Sequence, residues 1–70
     1  MKHDEARIEI NGVLLSEAQS MALRVACADL FERTVSNPDA LGTDEHGRAM
    51  TQIYRTHLHR VLVLISGEGA

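Results

Sequence analysis

The rhythm of hydrophobic and polar positions changes along this chain, and each rhythm predicts a different element. Residues 1 to 6 are largely polar and predict a flexible tail. From Arg7 to Leu15 the pattern alternates, with Ile8, Ile10 and Val13 directed to one side of an Asn11-Gly12 pair that favours a tight reversal. This predicts a short strand or miniature hairpin over 7–15. Such a hairpin is marginal in water, so it needs the helices, or its copy in another subunit, to lie against.

From Ser16 onward the period lengthens to that of a helix. Ser16 followed by Glu17-Ala18-Gln19 has the form of a capping box, in which the serine hydroxyl accepts from the Gln19 amide while the glutamine side chain reaches back. The first helix is predicted over 17–35, because Ser36-Asn37-Pro38 ends it: proline disfavours helical backbone in the residue before it. After a connection through Asp39, Ala40, Leu41 and Gly42, Thr43 is the predicted N-cap of a second helix over 44–66, with Asp44 and Glu45 in its first turn and Gly67 as its stop. The run Val61-Leu62-Val63-Leu64-Ile65 can also be read as a strand pairing with 8–15; the lack of any breaker between Asp44 and Leu64 favours the helix. Gly47, which costs about 1 kcal/mol against alanine inside a helix, implies either a backbone packed against it or a later helix start.

The apolar faces decide the expected assembly. In the first helix Ala18, Met21, Ala22, Leu23, Val25, Ala26, Cys27 and Leu30 sweep past half the circumference, leaving Glu17, Ser20 and Arg24 as a polar ridge. The second carries Met50, Ile53, Tyr54, Leu58, Val61 and Ile65 as one stripe and then becomes apolar all round. A chain of 70 residues gains only ~3–5 kcal/mol from its own core, so a supplement is required. The single cysteine, Cys27, excludes an internal disulfide and is expected in the core. His3, His46, His57 and His59 have no metal-ligand spacing. Self-association remains. The predicted fold is mostly α, a strand or hairpin followed by an antiparallel helix pair that dimerises into a four-helix arrangement. Its expected dimer interface comprises Ala22, Ala26, Leu30, Tyr54, Leu58, Val61, Leu62 and Ile65.

Charge and chemistry narrow the function. A net charge of −3 and a pI near 5.7 argue against direct nucleic-acid binding, which needs a basic face. No apolar run reaches the roughly 20 residues of a membrane span, and the charged start Met1-Lys2-His3-Asp4-Glu5 is unlike a secretory leader, so the cytoplasm is the expected compartment. No catalytic triad can be drawn, Asp44 and Glu45 do ordinary helix N-terminal duty, and the glycines form no phosphate loop. No enzyme, cofactor or metal is therefore expected. Arg48, Arg55 and Arg60 with Tyr54 could grip an anionic ligand between subunits, or form a solvated face with an Asp44–Arg48 pair. The expected partner-binding residues are Asp39, Leu41, Asp44, Glu45 and Arg48, at the connection and the adjoining turn; Leu41 is either an exposed contact or a hydrophobic staple for the second helix.

The run from Ile8 to Gln19, the alanine-rich helix, the segment Leu41-Gly42-Thr43-Asp44-Glu45-His46-Gly47-Arg48-Ala49-Met50-Thr51 and Tyr54 together resemble small early proteins of temperate phages of Pseudomonas and relatives, in particular the anti-quorum-sensing anti-activator family. The resemblance spans Ile8 to Ile65 and rests on structural motifs. It implies a small helical dimer that binds a host LuxR-type activator or the type IV pilus assembly ATPase. The chain departs from the aromatic anchors usual at interfaces, having no tryptophan and only Phe31 and Tyr54 as aromatics. A related possibility is an anti-defence protein that sequesters a cyclic nucleotide between subunits through inward-turned arginines; a structural or assembly module is the third.

Overall fold

The computed structural model describes residues 5–66; residues 1–4 of the expected tail, and the expected stop Gly67, lie outside them. The element order is β1 (Glu9–Ile10), β2 (Val13–Leu14), α1 (Glu17–Ser36) and α2 (Glu45–Ser66). The protein is mostly helical, with a short antiparallel hairpin followed by two packed helices.

The hairpin forms where alternation and turn chemistry agree. Asn11 and Gly12 take φ of 53° and 82°, the left-handed pair that matches the twist of two antiparallel strands. Glu9 pairs with Leu14 and Ile10 with Val13, and Leu15 donates its amide to the Ile8 carbonyl at 2.8 Å. Ile8, Ile10, Val13 and Leu15 therefore share one face. The strands approach neither helix, and Ile10 and Val13 stay exposed while Ile8 and Leu15 on the same face are half-buried.

Ser16 caps α1 as its sequence dictates: its Oγ accepts from the Gln19 amide at 3.1 Å, and Gln19 Oε1 accepts from the Ser16 amide at 2.8 Å. The helix ends at Asn37, whose extended φ of −136° and ψ of 104° is what Pro38 demands of its predecessor. The connection is two successive turns, closed by Ala40 donating to the Asn37 carbonyl at 3.0 Å and Gly42 to the Asp39 carbonyl at 2.9 Å.

One expectation about the second helix is corrected here, and the favoured reading of its last turns holds. Its cap is Asp44, not Thr43: Asp44 Oδ1 accepts from the Gly47 amide at 2.7 Å and the helix begins at Glu45. The reason is the close approach of Gly47 to Gly42, which fixes where the first turn starts and resolves the oddity of a helical glycine in favour of packing. The segment 61–65 is helical through to Ser66, so the strand reading falls away.

The interior is not the expected one. Among the described residues no hydrophobic side chain is buried; the most enclosed are Ser20, Thr34 and Thr51, each 2 % exposed or less, together with Gly47. Spacings of three and four place Leu23, Cys27, Leu30 and Phe31 on the α1 face that holds Ser20 and Thr34, and Leu58, Leu62 and Ile65 on the α2 face that holds Gly47 and Thr51; all are half-buried. The Phe31 and His59 rings meet there at 5.8 Å, tilted by 37°. Ser20, read from sequence as part of a polar ridge, in fact turns inward, Arg24 beside it stays partly exposed and pairs with Glu5, and Cys27 is half-buried rather than in a core. Because apolar residues cover more than half the circumference of α1, hydrophobicity alone could not choose its inner face. Small side chains that let the two helices come close chose it instead.

Candidate functional site

The expected partner-binding residues fall into two groups. Asp39, Asp44 and Arg48 are committed within the chain. Asp39 Oδ1 accepts from Arg48 Nε at 2.8 Å, displacing the expected Asp44–Arg48 pair, because Asp44 is occupied as the helix cap. Leu41 and Glu45 remain exposed. The backbone under Leu41 is fixed, since its amide donates to Thr51 Oγ1 at 3.0 Å and that hydroxyl donates to the Gly47 carbonyl at 2.8 Å. A staple would fall on the residue just before the cap, now Thr43, so Leu41 is an apolar side chain held outward on a rigid turn.

The expected interface residues separate as well. Leu30, Leu58, Leu62 and Ile65 lie half-buried on the faces where α1 and α2 meet, whereas Ala22 and Ala26 sit exposed on the outer side of α1, and Tyr54 and Val61 exposed on the flank of α2. Met21 and Val25 extend the outer face of α1, and Ile53 and Leu64 that of α2; Leu64 is 78 % exposed. Each helix thus presents a second apolar face that its partner in the chain does not cover.

The arginines are distributed unequally. Arg24 is bound bidentately by Glu5, at 3.1 Å through both Nε and Nη2, which ties the segment before the hairpin to α1 and removes Glu5 from the expected tail. That hydrogen bond first, and the Glu5 charge second, hold the Arg24 guanidinium above its ordinary range against a small opposing effect of desolvation. Arg7 pairs with Glu9 at 2.7 Å. Arg55 and Arg60 make no ion pair among the described residues. Arg55 stands where two shallow grooves meet, one of about 260 Å³ with Thr34, Arg48 and Gln52, the other of about 390 Å³ with Phe31, His59 and Arg60. Asp29 and Glu32, also without ion pairs among the described residues, border a third groove with Arg33 on α1.

Sequence reasoning missed the threonines. Thr34 and Thr51 are buried on the facing sides of the two helices, and each satisfies its hydroxyl on a backbone carbonyl of its own helix, Thr34 on Phe31 at 2.7 Å. Their helical spacing from Phe31 and Gly47 was a usable signal, since a threonine that bonds back to its own helix can be buried without another partner. Among the described residues no helix is long and apolar enough to cross a membrane. Comparison with known proteins found no matching family model, no matching curated protein and no matching solved structure.

Proposed function

We propose that this chain is a non-catalytic binding protein that works as a homodimer in the cytoplasm of a bacterial host. Following its resemblance to phage anti-activators, it inhibits a host regulatory protein, a LuxR-type activator or the pilus assembly ATPase, by occupying its surface. One observation supports this reading above the others: no hydrophobic side chain is buried among the described residues, while both helices turn an apolar face outward. At about 25 cal/mol for each Å² of apolar surface removed from water, such faces drive association. Leu41 and Glu45, held out on the anchored turn, are the residues assigned to the host partner.

Two measurements test the reading. Sedimentation velocity at micromolar concentration should give twice the chain mass; a folded monomer would refute it. Added to a purified LuxR-type activator or the pilus ATPase, the protein should form a complex that Leu41→Asp abolishes. A different reading, sequestration of a cyclic nucleotide between subunits, is favoured by Arg55 standing between two grooves, without an ion pair among the described residues and with an aromatic pair at one edge. It predicts a rise in melting temperature with cyclic dinucleotide that Arg55→Ala removes. An assembly module predicts neither effect.

A further inference from the structure

We infer that the second copy docks with its α2 against the outer face of α1, so that both uncovered faces close at once in an all-antiparallel four-helix arrangement. This rests on the self-association proposed above and adds which surfaces meet.

Area requires both faces. A stable interface removes about 800 Å² from each partner, more than one helix stripe can supply, and a pairing of α2 with α2 alone leaves the outer face of α1 in water. Shape agrees. Ala18, Ala22 and Ala26 make the outer face of α1 shallow, while Ile53, Tyr54, Val61 and Leu64 give α2 bulky projections to set into it.

Charge selects the same pairing. Phe31 lies opposite His59, and the helices run antiparallel, so Val25 stands within about a helical turn of the height of Leu64, Asp29 of Arg60 and Glu32 of His57. A twofold axis parallel to the helices keeps those heights when it brings α2 of one copy beside α1 of the other. Val25 then meets Leu64, and the acidic pair Asp29 and Glu32 meets Arg60, with the His57 ring alongside as a hydrogen-bonding group. Asp29, Glu32 and Arg60 have no ion-pair partner within their own chain among the described residues. Pairing like helices instead would set Arg60 near Arg60, or Asp29 near Asp29.

Two variants test the arrangement on the full chain. One, Asp29→Lys with Glu32→Lys, makes both contacting helices basic; the other, His57→Glu with Arg60→Glu, makes both acidic. Each alone should weaken dimerisation about tenfold or more, because every substituted contact occurs twice across the axis and becomes repulsive. An equimolar mixture should recover a heterodimer within about twofold of the original dissociation constant by sedimentation equilibrium, because every contact is again between opposite charges. Variants that weaken without rescuing each other, or do not weaken at all, overturn this arrangement while leaving self-association standing. An unsubstituted chain that sediments as a monomer overturns both.

Discussion

Gly42 and Gly47 pack backbone to backbone: a Cβ built on Gly47 would lie 2.4 Å from the Gly42 Cα and 2.6 Å from its carbonyl oxygen. The contact sets the start of α2 and, through Asp44 and Thr51, the geometry of the turn that presents Leu41. Gly47→Ala should therefore destabilise by about 1–3 kcal/mol despite the better helix propensity of alanine, since the obstructing atoms are main chain and cannot swing aside. Gly12→Ala fails for a different reason, having nothing within 4 Å but a φ of 82°, and should cost about 1–2 kcal/mol. Urea midpoints measure both; an alanine tolerated at Gly47 would contradict the close approach.

Thr51 and Ser20 are equally enclosed and should respond oppositely. Thr51→Val strands the Leu41 amide and should cost about 1–3 kcal/mol. Ser20 Oγ has no hydrogen-bond partner among the described residues, so Ser20→Ala removes an unsatisfied group and should be neutral or stabilising by up to about 1 kcal/mol. Thermal melts of the two variants in parallel would expose an error in either assignment.

Asp44→Ala deletes the cap of α2 and should lose about 0.5–2 kcal/mol, with Asp44→Ser largely preserving stability. Thr43→Ala should cost little. The reverse order in circular-dichroism melts would return the cap to Thr43.

Arg24 sets a pH expectation. Its protonated form is favoured in the folded chain, so the stability it contributes is complete below the ordinary arginine range and fades only as pH rises through that range. Arg24→Gln should lower the melting temperature by the same amount at pH 7 and pH 9. A deficit that shrinks between those values would show that the Glu5 contact does not act through the guanidinium charge.

How far the sequence reaches differs from element to element. Asn11-Gly12, Ser16 with Gln19, and Asn37-Pro38 each fix backbone geometry through interactions spanning four residues or fewer, so the hairpin, the capping box and the end of α1 follow from local chemistry. The helical course of 61–65 follows in the same way, from the absence of any breaker. The inner face of α1, the half-buried place of Cys27, the capping role of Asp44 and the Asp39–Arg48 pair do not. The first two depend on how the helices pack, and a helix apolar around most of its girth is compatible with several packings; the last two depend on the contact of Gly42 with Gly47 that sets where α2 begins. Tertiary packing selected the one that buries Ser20 and Thr34 on α1 and Gly47 and Thr51 on α2, with Leu23, Leu30, Phe31, Leu58, Leu62 and Ile65 half-buried beside them, and it left Met21, Val25, Ile53, Tyr54 and Leu64 exposed.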